Sequence, residues 1–362
     1  MLIVRSPVRI SFGGGGTDLP AYYEQFGGAV VSAAINKYFY TILGKRSDDR
    51  VQIISSDLRV FESWQGLSAL EARGNSLEIP LAVLKEAKCN LAVDLFLASE
   101  IPPGTGLGSS ASVCVNLLKT ITTYLHRPMS KYDLAERAFH VARNVLQRNI
   151  GKQDEYAAAF GGLNYFTFDS DGGVLAEPVQ VSTRVMQDLQ NHLMLFFTGA
   201  AHHSWTILKE QEESTRKRVG PAVEALHEVK ALAAEMRATL EQGDLHQLGV
   251  LLHAGWMAKR RVSQKISDER IDSLYSLARE RGALGGKITG AGGGGFLLLY
   301  CEPGHQPAVR EALQAKGLQE MTFGFDMQGA QVIVNDPFID GDERGASKWV
   351  FVSTEASAIT SS

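Results

Sequence analysis

The sequence predicts an α+β protein, in which strands and helices do not alternate regularly and a boundary falls near residues 185–195. Two observations carry this expectation. Residues 91–97, LAVDLFL, place Leu91, Val93, Leu95 and Leu97 on one face, the period of two that marks a strand. Further on the period changes: Val113, Leu117, Leu118, Ile121 and Leu125 follow helical spacing, with Pro128 beyond the end. A chain of 362 residues with 44% hydrophobic content is long enough for two buried cores.

Taken in order, strands are expected at 2–12, 29–35, 38–45, 51–55, 91–97 and 163–168, with a second helix over 130–148. Near 190 a polar stretch leads into the strand HLMLFFTG. Helices follow at about 204–218, 221–241, 245–261 and 268–281. FLLLYC reads as a buried strand, 307–316 as a helix and 331–334 as a last strand. These elements suggest units at 1–190 and 191–336, and a polar tail over 337–362.

Composition removes several function classes. With 36 basic and 40 acidic side chains the net charge is -4, which does not suggest a nucleic-acid surface. No run of about 18 apolar residues is present, so no membrane span is expected. The opening MLIVRSPVRISF lacks a basic region followed by a long apolar core and reads as a strand, not a signal peptide. Cys89, Cys114 and Cys301 are odd in number, far apart and in apolar settings, as buried thiols in a reducing cytoplasm would be.

The chemistry is concentrated in glycine. PPGTGLGSS, within 100–112, joins a strand to a helix beginning at Ser109 or Ser110. Glycine lets a phosphate approach the amide nitrogens, and the unpaired N–H groups of the helix start face the anion. A hydroxyl there can also reach a magnesium ion beside the phosphates. A plain loop with serine caps is the alternative, and no Gly-Lys-Ser/Thr ends the loop, so it is not the common nucleotide motif. Two more clusters shift the balance: SPVRISFGGGGTDLP at 6–20 and GGKITGAGGGGF at 285–296. Ordering four adjacent glycines costs backbone entropy, and both clusters lie beside apolar strands, which suits a backbone lining a ligand site.

With these three segments in order, at 6–18, 102–112 and 286–296, the chain resembles the GHMP small-molecule kinases, which include galactokinase, homoserine kinase, mevalonate kinase and phosphomevalonate kinase. RISFGGGGTDLPAYY, GKQDEYAAAFGG, FTGAAHHSWTILKEQ and GALGGKITGAGGGGFLLLY are similar to the D-glycero-D-manno-heptose 7-phosphate kinases, over nearly the whole chain to about residue 335. The resemblance implies a two-domain α+β fold with ATP and a small-molecule sugar phosphate in the cleft between domains. It also implies transfer of the ATP γ-phosphoryl group to an anomeric hydroxyl, with Mg2+ as cofactor.

Carried over position by position, the resemblance assigns ATP binding to Pro103, Gly104, Gly106, Leu107, Gly108, Ser109, Ser110 and Ala111, with Ser110 also on the metal. Asp154 matches the catalytic aspartate, although an aspartate at a helix start also serves as a cap. Arg9, nine positions before Asp18, is the cation that would favour an alkoxide-like acceptor oxygen. Asp18, Gly15, Gly16, Thr17, Lys152, His202, Gly292 and Gly293 are the expected acceptor contacts, and Asp18 could equally cap the glycine turn.

Three departures from the family pattern matter. Gly15 and Gly16 stand where galactokinases carry Glu-His, which leaves room for a longer acceptor. Ala142 stands where the family places a magnesium-binding glutamate. His202 stands where relatives often have arginine. His202 and His203 would face opposite sides of a strand and do not read as a metal pair. Lys259, Arg260, Arg261 and Lys287 are further candidates for phosphate charge, with the KRR run at 259–261 better read as a solvated helix face. A kinase for another sugar or sugar phosphate, and a nucleotide- and sugar-binding sensor without turnover, stay open beside the heptose reading. Ala142 favours the sensor; Asp154 and Arg9 oppose it.

Overall fold

The computed structural model describes residues 1–66, 74–89, 92–199, 204–216 (for 204–206 the backbone alone) and 220–336. The expected tail 337–362, Leu91, His202 and His203 lie outside the described residues.

Two sheets organise the chain. The larger has eight strands, in the order β12-β1-β2-β5-β3-β4, with β6 on β2 and β7 on β6. Its spine is β1 (Leu2–Gly13) against β2 (Gly28–Lys45), antiparallel along their whole length. The strands expected at 29–35 and 38–45 are this one strand. Pro7 lies opposite Tyr38 while Val8 lies opposite Ile35, so Asn36 and Lys37 form a bulge in a continuous ladder, not a turn. Between β1 and β2, α1 (Pro20–Phe26) starts on a proline and stops at Gly27, whose φ is 63°.

The strand expected over 91–97 is β5 (Val93–Ser99), parallel to β3 (Arg50–Ser55) and antiparallel to β2, with Val93, Leu95 and Leu97 buried as the period of two requires. On this sheet pack α3 (Ser109–Tyr124) and α5 (Gln153–Phe160). The helix expected over 130–148 is α4 (Lys131–His140) running into a π-helical turn at Val141–Val145. π-turns are rare and recur at functional sites. β6 (Leu163–Phe168) pairs with β7 (Val174–Pro178), which the sequence pattern does not reveal. Nor does the pattern reveal β4 (Val60–Gln65) or α2 (Glu78–Glu86). The polar stretch before 190 is α6 (Thr183–His192), hidden from a hydrophobic-period search because Leu189 is its only buried residue; the Ser182 side chain caps its first turn.

The smaller sheet, in the order β11-β8-β10-β9, is antiparallel. It contains β8 (Leu193–Phe197), β9 (Ala283–Ile288), β10 (Phe296–Cys301) and β11 (Gln319–Glu320). Every residue of β10 is buried, as a continuous apolar run predicts. The helical hairpin of α8 (Pro221–Gln242) and α9 (Leu245–Arg260) follows α7 (Ser204–Arg216) and lies between the sheets: α8 packs on β1 and β2, α9 on β9 and β10. Its Leu232, Met236, Leu248 and Leu252 share one core with Val8 and Ile10 of β1 and Leu298 of β10. β1 therefore feeds two cores, since Leu2 and Val4 belong to the other.

After α10 (Glu269–Glu280) and α11 (Gln306–Gln314), the last strand, β12 (Gln331–Asn335), returns to the larger sheet, with Leu2 opposite Asn335 and Arg5 opposite Gln331. The segment expected to close the unit 191–336 thus pairs with the first strand of the chain. All three cysteines are buried. Among the described residues, no helix is long and apolar enough to cross a membrane.

Candidate active site

The three glycine segments meet at one cleft. It holds a cavity of about 610 Å³, bordered by Gly15, Gly16 and Asp18 from the first segment and by Gly290 and Ala291 from the third. From the second come Pro103, Gly104, Gly106, Gly108, Ser109, Ser110 and Ala111. The opposite wall is Ala142 on the π-turn, residues 146–151, and Gln153, Asp154 and Glu155 at the start of α5.

The second segment has the geometry of an anion cradle. Gly104, Gly106 and Gly108 have φ values of 76°, 81° and 77°. Gly108 is the N-cap of α3 and supplies no side chain, so the first-turn amides of Ser109, Ser110 and Ala111 have no side-chain cap and point into the cavity mouth. Ser110 is exposed there. Leu107, expected as an ATP contact, is instead buried in the core, and its carbonyl accepts the Arg9 backbone N–H at 2.9 Å.

Much of the glycine content serves packing and not the ligand. A methyl at Gly106 would run into the Thr289 carbonyl, and one at Gly290 would lie 2.7 Å from the Gly106 Cα. A methyl at Gly295 would strike the Thr105 carbonyl, which also accepts the Phe296 N–H at 3.2 Å. The second and third segments are glycine-rich because their backbones cross. Gly292 and Gly293, expected at the acceptor, face Ile266; its carbonyl accepts the Gly293 N–H at 2.9 Å, and neither glycine borders the cavity. Thr17 is also turned inward, donating to the Gly14 carbonyl at 2.8 Å or the Ala29 carbonyl at 3.0 Å.

Opposite the cradle stand the charged side chains. Arg9, on β1, is buried; its Nε donates to Asp154 Oδ1 at 2.8 Å, its Nη2 lies 2.6 Å from the same oxygen, and its Nη1 donates to the Gly106 carbonyl at 2.6 Å. Asp154 caps nothing: the N-cap of α5 is Lys152 and its first turn has no side-chain cap. The Asp154 carboxylate instead sits at the mouth of α3, since a Cβ built on Gly108 would lie 3.2 Å from Oδ2. Asp18 does cap. Its Oδ1 accepts from the Gly16 N–H at 2.9 Å and the Gln153 amide at 3.1 Å, and its Oδ2 accepts from the Gln153 N–H at 3.2 Å. Burial, and then the Asp154 charge, raise its pKa above the ordinary carboxylate value.

The cations sort by partner. Lys152 is turned from the cavity and donates to Glu136 at 2.7 Å and the Gly172 carbonyl at 2.6 Å. Arg260 pairs with Asp272 and Arg261 with Glu228. Lys259 is buried at the cavity edge, donating to the Gly15 carbonyl at 2.8 Å and to Gln211 at 3.3 Å; burial lowers its pKa to about 8. Lys287, on β9, is 8% exposed and makes no hydrogen bond or ion pair among the described residues. Burial, then the charges of Lys259 and Arg9, bring it to about 7, and Asp18 opposes them. Sequence reasoning missed Gln153 and Gln211, uncharged residues that hold Asp18, Gly16 and Lys259 in place.

The donor set fits a magnesium ion carried with phosphates. Among the described residues no cluster of three or more His, Cys, Asp or Glu forms a metal cage. Magnesium bound beside phosphates needs one or two side-chain oxygens, the rest being phosphate and water. Ser110 presents one hydroxyl, Ala142 presents no donor, and Glu155, in the same wall, has a buried oxygen Oε2 without a partner among the described residues.

Comparison with known proteins agrees with this architecture. Residues 77–162 match the GHMP kinases N terminal domain and residues 236–319 the GHMP kinases C terminal domain. A D-glycero-alpha-D-manno-heptose 7-phosphate kinase of Campylobacter jejuni is 29% identical over 336 residues, covering 90% of this chain and 97% of that protein. The crystal structure of a D-glycero-D-manno-heptose 1-phosphate kinase from Bacteriodes thetaiotaomicron superposes with a TM-score of 0.77 at 27% identity, covering 92% and 99% of the two chains. A galactokinase of Pyrococcus furiosus is 25% identical over 353 residues, 89% of this chain and 95% of that one. With both domains matched, a mixed helix and sheet fold shared with its kinase relatives, and a glycine loop facing a buried Arg–Asp pair, the chain carries the N terminal and C terminal domains of the GHMP kinases.

Proposed function

We propose that the chain is an ATP- and Mg2+-dependent sugar kinase that phosphorylates the anomeric hydroxyl of D-glycero-D-manno-heptose 7-phosphate, giving the 1,7-bisphosphate. The observation that carries the reading is the position of Asp154, a carboxylate held by Arg9 at the mouth of an anion-binding helix. Phosphoryl transfer needs mostly positioning and charge neutralisation. The α3 amides and Ser110 hold the phosphates. Asp154 accepts a hydrogen bond from the attacking hydroxyl and takes its proton as the oxygen–phosphorus bond forms and the bond to the ADP oxygen breaks. Arg9 stabilises the negative charge that develops on that oxygen. Ser110 would be among the residues that hold magnesium, which when bound would supply charge neutralisation at the transferred phosphate.

The acceptor end supports a long, anionic substrate. Gly15 leaves the cavity wall bare, since a Cβ there would have nothing closer than 3.6 Å, whereas one at Gly16 would run into Gln211 Nε2 and lie 2.8 Å from Lys259 Nζ. Lys287 is the buried cation whose charge no carboxylate pairs among the described residues, and Lys259 is satisfied by neutral oxygens. A remote phosphate on the acceptor would meet both.

An ADP-release screen over sugars and sugar phosphates, with phosphorus NMR of the product, tests this. The expected product has a new anomeric phosphate and retains its first. The two heptose kinases above are named for different phosphate positions, so the NMR assignment is decisive. Equal use of a free hexose would remove the heptose assignment and leave the kinase. Nucleotide binding without ADP release for any sugar would favour the sensor.

A further inference from the structure

We propose that Glu155 is a magnesium ligand of this cleft and stands in for the carboxylate that Ala142 does not supply; this rests on the kinase reading. The argument begins with position. Glu155 follows Asp154 on α5 and borders the cavity together with Ser110 and Ala142. α5 packs against both α3 and α4, and α4 runs into the π-turn that carries Ala142, so Glu155, Ser110 and Ala142 come from neighbouring elements to the border of one cavity.

The second observation is that the group is unsatisfied. Glu155 is 2% exposed, and its Oε2 has no hydrogen-bond partner among the described residues. A buried polar atom without a partner is disfavoured, and an acid beside the Asp154 charge is further penalised when ionised. A divalent cation removes both penalties, because it supplies the partner and reverses the local field. Magnesium prefers hard oxygen donors, and a hydroxyl with one carboxylate, plus phosphate and water, completes its usual set. The rival reading is that Glu155 is a protonated acid packed as a neutral spacer under Asp154.

Mn2+ as the probe distinguishes them, read by electron paramagnetic resonance on the full chain with a non-hydrolysable ATP analogue. Glu155→Gln keeps the shape and removes the ionisable oxygen. The expected result is at least a tenfold weaker Mn2+ affinity, with metal-free binding of the analogue unchanged. Ala142→Glu placed on Glu155→Gln is expected to recover most of that loss. Glu155→Asp, which keeps the charge one methylene further back, is expected to fall between, and it serves if Glu155→Gln does not fold. Mn2+ affinity within twofold of wild type in Glu155→Gln, or in Glu155→Asp as its substitute, with analogue binding intact, overturns the proposal and leaves the kinase standing. A wild-type chain that binds no nucleotide overturns the kinase reading, and this proposal with it.

Discussion

The two walls of the cleft hold charge by different means. On the α3 side, positive potential comes from backbone: a glycine N-cap with φ of 77° and first-turn amides free of side-chain caps. On the other side it comes from buried side chains, Arg9 and Lys259, with Lys287 buried behind them, set against Asp18, Asp154 and Glu155. Backbone amides do not titrate, and their geometry is fixed by how the chain packs. Side-chain charges in a low-dielectric wall depend on what faces them, so they respond to pH and to the substrate. The first wall suits a ligand group common to many kinases, and the second suits the part that distinguishes one acceptor from another.

The sharpest way to break this comparison is to neutralise the second wall at its reactive point. Asp154→Asn is expected to lower kcat on the order of 10²-fold or more while nucleotide binding by the α3 wall stays intact, because the amide cannot accept the proton. Near-normal turnover in the purified variant would remove Asp154 from the chemistry.

The first wall should fail through folding instead. Gly106→Ala puts a side chain at φ of 81° and into the Thr289 carbonyl, so a loss of about 2–4 kcal/mol is expected. Gly15→Ala has open space and should cost less than about 1 kcal/mol. Denaturant midpoints compare the pair directly, and similar losses would mean that the loop crossing is not what the glycines serve.

Lys287→Met should sharpen the acceptor side. Losing a buried charged contact to a phosphate is expected to lower kcat/KM about tenfold or more for a phosphorylated acceptor and to leave an unphosphorylated sugar unaffected. The pH dependence has a definite sign. Lys287 and Lys259 sit near 7 and 8, below the ordinary lysine value, so the unfolded chain binds more protons than the folded one between about pH 7 and 10. Unliganded stability gains from these lysines as pH rises through that window. Binding of an anion needs the protonated form, so acceptor KM should rise above about pH 7, and Lys287→Met should flatten the rise. A KM profile unchanged by that substitution would take Lys287 out of the acceptor site.

The smallest expected effect is at Ser110. Ser110→Ala removes one of several oxygen donors, and since phosphate and water remain, the magnesium requirement should rise only about two- to tenfold. A magnesium titration of steady-state rate measures it, and an unchanged requirement would place the metal elsewhere.

Several features of the fold are encoded in local spacing. The period of two buries Val93, Leu95 and Leu97, the apolar run buries all of β10, and the strand–glycine–serine order starts α3 at Ser109. Matched motifs singled out Arg9, Asp18 and Asp154, which the fold brings to one cavity. Which long-range partners those local pieces meet follows from the folded arrangement. It turned Lys152 toward Glu136 and left Lys287 without a hydrogen bond or ion pair among the described residues, although both read as candidate phosphate cations, because a lysine's role is set by what lies within hydrogen-bond reach of its tip. It joined Asn36 and Lys37 into a bulge where the polar pair reads as a break, since the facing residues, Pro7 and Val8, are distant in sequence and leave no local trace. It carried the last strand back onto β1, and it showed that Gly106, Gly290 and Gly295 are small because two backbones cross there. Spacing along a chain fixes which face a side chain shares, whereas contacts between distant segments depend on how the cores close around them.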